Sequence, residues 1–155
     1  MNHLFDIFAT LDQLPPNSEA VLATVVSVEG SAYRQPGARM LILADGQSIG
    51  MVSGGCLEKH LVQRAFWLTR HGATLKTYHT ATDSQLSQDE VVDDSDEQEG
   101  FGLGCQGVIQ VLFERLILNE QSVLFACFQC LKQTKQPQKL ATVITTNSDE
   151  FVVGQ

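Results

Sequence analysis

The sequence predicts an α+β fold within the broad α/β class. It reads as a single domain over residues 1–155, a mixed β-sheet with β-hairpins covered by two or three helices. Three observations carry that expectation. Runs rich in β-branched residues, such as AVLATVVSV (20–28) and VIQVLFERL (108–116), alternate with stretches whose apolar residues recur at helical spacing. An Asp45-Gly46 dipeptide between two apolar runs marks a hairpin turn, because those residues tolerate positive φ. Finally, 155 residues, 43% hydrophobic and 18% charged, suffice for one core that buries roughly 70% of the unfolded surface without disulfides or a metal.

Each element has its own signal. Residues 2–14 form the first expected helix: Leu4, Ile7, Phe8 and Leu11 make one apolar stripe, and Pro15-Pro16 stops it. AVLATVVSV is apolar on both faces, as a central strand is. GSAYRQPGA (30–38) reads as a polar loop, and 38–53 as a hairpin. The hairpin is expected to end at Ser53-Gly54-Gly55 with a helix beginning at once, Gly55 as its N-cap and Glu58 in its first turn. Leu57, Leu61, Ala65 and Leu68 supply its buried face, and Gly72 its stop. Residues 73–79 and 108–116 read as strands. Asn119 is expected to cap a helix to about residue 134, burying Leu124, Cys127, Phe128 and Leu131. LATVITT and EFVVGQ suggest a closing hairpin, and no internal repeat is present. Because residue 155 falls at a strand without a polar tail, the chain is expected to be either the first domain of a longer protein or a naturally short form.

The net charge of −8 is concentrated. Residues 83–99 hold eight acids and no Lys or Arg, leaving ten acids against ten bases elsewhere. Without a basic surplus to neutralise phosphates, nucleic acid is not an expected partner. No run approaches the roughly 18 apolar residues of a membrane span. The N-terminus carries Asp6 and Asp12 rather than a basic leader, so neither a membrane nor a signal peptide is expected. The expected location is cytoplasmic, where Cys56, Cys105, Cys127 and Cys130 serve packing, metals or chemistry rather than disulfides.

Chemistry concentrates in two glycine-rich blocks. In Ser53-Gly54-Gly55-Cys56-Leu57-Glu58, two glycines turn the backbone out of a strand and offer amide N–H groups at a helix start. The same geometry would place Cys56 where the helix dipole favours a thiolate, the form that carries sulfur or binds a soft metal. The plain alternative is a small buried cysteine beside a turn. In the second block, Gly102-Leu-Gly104-Cys-Gln-Gly107 spells GxGxxG. An acidic segment precedes it and a β-branched run follows, whereas a dinucleotide fingerprint needs a strand before and a helix after. Cys105 therefore stands out for its glycine neighbours, which let a ligand approach. With Cys56, 49 positions earlier, it suggests one pocket lined by two thiols. Arg34 and Arg39 flank the Gln35-Pro36-Gly37-Ala38 turn, as a fork for phosphate or carboxylate would.

Other motifs read as structural. Cys127-Phe-Gln-Cys130 lies inside an amphipathic stretch without a second CxxC, which favours packing over redox or zinc duty. His3, His60, His71 and His79 show no ligand spacing with one another, though His79 with Cys56 and Cys105 leaves a zinc site open. HExxH, GxSxG and P-loop signatures are absent.

Taken in order, ATVVSVEGSAYRQPGARMLILADG (23–46), GMVSGGCLEKHLVQRA (50–65), YHTATD (78–83) and FGLGCQGVIQVLFE (101–114) resemble the N-terminal domain of the XdhC/CoxI family, accessory factors for xanthine dehydrogenase and related molybdenum hydroxylases. The resemblance spans roughly residues 20–115. It implies binding and protection of molybdenum cofactor (molybdopterin) and help with its sulfuration before insertion, rather than an enzyme in its own right. The implied partners are an apo molybdenum hydroxylase and a cysteine desulfurase, with a homodimer as the expected assembly. Gly54, Gly55 and Cys56 match the family's first motif, Gly104, Cys105 and Gly107 its second, and Pro36, Gly37 and Arg39 the loop before the hairpin. Ser53 and Glu58 complete the expected cofactor-binding set, and Cys56 and Cys105 are the thiols expected to face molybdenum or carry sulfur. Three departures stand out: Cys105-Gln106-Gly107 replaces the usual Cys-Gly-Gly or Cys-Asn-Gly, the acidic insert before it is longer than usual, and the Rossmann-type second domain of full-length relatives is not in this sequence. Two other functions compete, a docking scaffold that uses the acidic 83–99 segment and holds no cofactor, and a thiol redox or zinc protein.

Overall fold

A computed structural model describes residues 3–55, 57–79, 107–134, 136 and 139–154. The elements in chain order are α1 (Leu4–Gln13), β1 (Glu19–Gly30), β2 (Arg39–Leu43), β3 (Ser48–Gly50), α2 (Glu58–Leu68), β4 (Thr74–His79), β5 (Gly107–Ile117) and α3 (Val123–Gln133). The five strands form one sheet in the order β3-β2-β1-β5-β4. The α+β class with three helices is as expected. Every ladder among the described strands is antiparallel, so the mixture of strand directions expected from the sequence does not arise.

The centre of the sheet is β1 paired with β5, a ladder running from Glu19↔Ile117 to Gly30↔Gly107 with a bulge between Val25 and Ser27. Because side chains alternate along a strand, β1 feeds two cores. Val21, Ala23 and Val25 pack with Met40, Ile42, Val111 and Phe113 beneath α2, which contributes Leu61, Ala65 and Leu68. Ala20 and Leu22 pack with Leu41, Leu43 and Leu116 on the opposite face, under Ile7, Phe8 and Leu11 of α1 and Phe128 of α3. That double burial is why β1 lacks a polar face. β3 and β4 lie at opposite edges of the sheet, so α2 crosses the whole of one face between them.

Polar contacts fix the helices. Arg115 on β5 reaches the Thr69 hydroxyl at 3.1 Å, the Phe66 carbonyl and Glu19 at 2.6 Å each, and stacks on the Phe66 ring. Phe8 and Phe128 meet edge to face at 5.5 Å, joining α1 to α3, and Lys132 pairs with Asp12 over the same seam.

Three local expectations are corrected. α2 begins at Glu58 with Leu57 as its N-cap, not at Gly55, because Ser53 and Glu58 tie the preceding residues into a loop of their own. The cap of α3 is Ser122, whose hydroxyl oxygen accepts the Phe125 N–H at 3.3 Å. Asn119 instead accepts the Gln121 N–H in the turn before it. The closing hairpin is not formed among residues 139–154, where Val143 and Gly154 share one backbone hydrogen bond but no strand is present.

Candidate functional site

The antiparallel register brings several chain segments to one end of the sheet. β1 ends there at Gly30, β3 at Gly50 and β4 at His79, while β2 begins there at Arg39 and β5 at Gly107. Residues 31–38 and 51–55 both depart from this end, and Gly107 is the last residue of the second glycine-rich block. Gly107 is required by close approach: a Cβ there would stand 2.5 Å from the Ser31 carbonyl oxygen and 2.8 Å from that of Glu29. A strand, not a helix, follows Gly107, so the GxGxxG spelling has no dinucleotide-binding context.

The Ser53–Glu58 segment is built around one carboxylate. Glu58 Oε1 accepts the N–H groups of Val52 (3.2 Å) and Ser53 (2.8 Å), and Oε2 accepts the Ser53 hydroxyl at 2.6 Å. Ser53 Oγ in turn accepts N–H groups from Gly55 (3.3 Å) and Leu57 (3.2 Å). The arrangement resembles a capping box, with serine and glutamate exchanging bonds across the helix start. The start of α2 thus carries its own anion, and the Gly55 amide is already engaged. Gly55 adopts φ +112°, which a residue with a side chain rarely does.

Two aromatic and cationic groups flank the loop. The exposed Tyr33 ring lies against Gly54, where a Cβ would be 3.1 Å from the ring carbons. Arg34 donates to the Ser53 carbonyl at 3.4 Å and to Met51 Sδ at 3.2 Å, so Arg34 is the arginine that buttresses this loop. Arg39 donates to the Gly37 carbonyl at 3.2 Å, and strand alternation puts its side chain on the sheet face away from α2. Its electrostatic partner is Glu114 on β5: burial pushes the Glu114 carboxyl up to about 7, and Arg39 pulls it partly back.

Of the residues expected at the site, Ser53, Gly54, Gly55 and Glu58 come together at the start of α2, Gly107 lies at the same end of the sheet, and Arg39 faces Glu114 instead. Cys56, Gly104 and Cys105 lie outside the described residues, as does the acidic segment. His79 ends β4 opposite Val108, and the described residues hold no group of three side chains fit for a metal. Cys127 and Cys130 are free thiols well inside α3, away from its N-terminus. No helix among the described residues is long and apolar enough to cross a membrane. Sequence reasoning alone does not single out Tyr33, Thr24 or Glu114. An acid in phase with Leu112 and Leu116 on a central strand is the available signal for Glu114.

Comparison with known proteins agrees with this picture. Residues 15–79 match the XdhC and CoxI family model. The chain is 36% identical over 140 residues to a probable xanthine dehydrogenase subunit from Bacillus subtilis (strain 168), covering 90% of this chain and 38% of that one. Over 48 residues it is 44% identical to the molybdenum cofactor insertion chaperone PaoD of Escherichia coli (strain K12), covering 31% of this chain and 15% of that protein. The crystal structure of a xanthine dehydrogenase from Bacillus halodurans superposes with a TM-score of 0.62 at 32% identity, over 85% of this chain and 35% of that one. The chain thus spans well under half the length of each of these relatives.

Proposed function

The chain belongs to the XdhC and CoxI family through residues 15–79, and from that premise we propose that it is an accessory protein of molybdenum hydroxylases of the xanthine dehydrogenase type. It binds molybdenum cofactor as cargo, assists its terminal sulfuration and passes it to the apo-enzyme. An apo-hydroxylase is its delivery partner and a cysteine desulfurase its sulfur donor, with the protein working as a homodimer in the cytoplasm.

One observation supports the reading: the 53–58 block and Gly107, the end of the 104–107 block, attach at the same end of the sheet although the blocks lie far apart in sequence. The two thiols given the sulfur-handling role, Cys56 and Cys105, belong in sequence to these two blocks. Because Glu58 already occupies the start of α2 and the Gly55 amide is engaged, the cofactor phosphate has little to gain from those amides. Gly55 acts instead by leaving room for close approach, while Gly107 admits the Ser31 and Glu29 carbonyls.

The test is sulfuration of an apo-hydroxylase supplied with cofactor, a desulfurase and this protein. Cys56→Ala and Cys105→Ala should each abolish the stimulation that the wild type gives. Variants that stimulate as well as wild type would remove the role given to the thiols.

A further inference from the structure

Between Lys59 and Thr82 the chain carries four bases, Lys59, Arg64, Arg70 and Lys76, and no Asp or Glu. α2 turns Leu61, Ala65 and Leu68 onto the sheet. Its opposite side carries Lys59, Gln63 and Trp67, spaced four residues apart and all exposed, and the exposed Arg70 follows just beyond the helix. Lys76 on β4 lies opposite Val111, which packs beneath α2, so strand alternation puts Lys76 on the same side of the sheet. Trp67, the single tryptophan of the chain, is 50% exposed. The Arg70 guanidinium lies 3.9 Å from the centre of the Trp67 ring and donates to the Trp67 carbonyl at 3.0 Å. The Arg64 guanidinium stands 5.5 Å from the same ring.

Cations that brace the fold are paired, Arg115 with Glu19 and Lys132 with Asp12. Lys59, Arg70 and Lys76 meet no carboxylate among the described residues. Stacking on Trp67 holds the Arg70 guanidinium in place, and the Trp67 carbonyl takes only one of its donors, which leaves a preorganised fork for carboxylate oxygens. A half-exposed tryptophan beside arginines is also the composition that dominates protein–protein contacts. We propose that this outer face of α2, centred on Lys59, Trp67 and Arg70, is a docking surface for a carboxylate-rich segment of a partner protein. Arg70 forks one carboxylate, Lys59 pairs with a second, and Trp67 covers the apolar stem between them. At 1.5 Å per residue, Lys59 and Arg70 stand about 16 Å apart along the axis, a span that about five residues of extended chain cover. A short segment fits this stripe, whereas an extended phosphate surface would also meet the chain's net charge of −8. The inference stands apart from the carrier reading, since it involves neither glycine block.

The experiment follows Trp67 fluorescence of the full 155-residue chain during titration with poly-L-glutamate. A saturable change is expected, with its midpoint moved about 10-fold or more by Arg70→Gln. Arg70→Lys should recover only part of that affinity, because an ammonium keeps the charge and loses the fork. Lys139→Gln, an exposed base outside the face, should bind as wild type does. The eight acids of residues 83–99 are a potential competitor within the chain, so the titration is repeated with all eight replaced by their amides. Binding by either protein supports the surface, and tighter binding by the second assigns the competition to those acids. No response from either folded protein overturns the proposal. Equal weakening by Arg70→Gln and Lys139→Gln, or tighter binding of heparin or phosphatidylserine vesicles than of poly-L-glutamate, overturns it as well.

Discussion

Glu114 ought to make the protein less stable as pH rises, and its replacement ought to remove that loss. A carboxyl whose folded pKa is about 7, against an ordinary 4.5, holds its proton in the native state after the unfolded chain has released it. Below 4.5 both states are protonated and the group contributes nothing. Between 4.5 and 7 the native state binds more protons than the unfolded one, so stability falls with rising pH, and above 7 the deficit is constant. At about 1.4 kcal/mol per pH unit, the full deficit is roughly 3 kcal/mol, of which about 2 develops between about pH 5.5 and 8. Glu114→Gln keeps the shape and cannot ionise. Urea unfolding of both proteins at those two pH values isolates the effect, because every other titrating group cancels in the difference. The variant should gain about 2 kcal/mol on wild type as pH goes from about 5.5 to 8. A stability difference that is the same at both pH values would mean that Glu114 ionises alike in the folded and unfolded chain, and the burial argument would fail.

Arg39→Met should push the Glu114 carboxyl further upward and carry the pH-dependent part of the unfolding curve to more alkaline values, read by the same titration. Ser53→Ala removes an acceptor for two N–H groups and a donor to Glu58, and should cost about 1–2 kcal/mol in urea unfolding. Glu58→Ala strands three donors and should cost about 2–3 kcal/mol. Gly107→Ala drives a methyl into the Ser31 and Glu29 carbonyls and should destabilise by about 1–3 kcal/mol, with faster amide exchange at the Gly30–Gly107 end of the ladder.

Local chemistry is readable in the sequence where it acts within a few residues. The double-sided apolar run of β1, the Asp45-Gly46 turn with Gly46 at φ +87° and the buried stripe of α2 all follow from period and turn type. The start of α2 misleads because two glycines suggest a cap, while the reciprocal Ser53–Glu58 bonds move the helix start to Glu58. Asn119 and Ser122 are both good caps, and only the turn that Asn119 makes with Gln121 decides between them. The pairing of β1 with β5 joins the two ends of the fold and has no local signature, so the attachment of Gly107 at the same end of the sheet as the Ser53–Glu58 segment is not legible from spacing. Glu114 is legible in principle. Its place in phase with Leu112 and Leu116 marks a buried acid, but Glu114-Arg115 reads as the polar end of a strand until the ladder extends past it to Ile117.

Whether this protein carries molybdenum cofactor is best decided by anaerobic titration of the purified chain with cofactor released from a donor hydroxylase, followed by gel filtration with molybdenum quantified in the protein peak. Near-stoichiometric molybdenum should co-elute with wild type and be lost from Cys56→Ala. A well-folded wild type that elutes without molybdenum would contradict the carrier role and leave a docking scaffold as the better description.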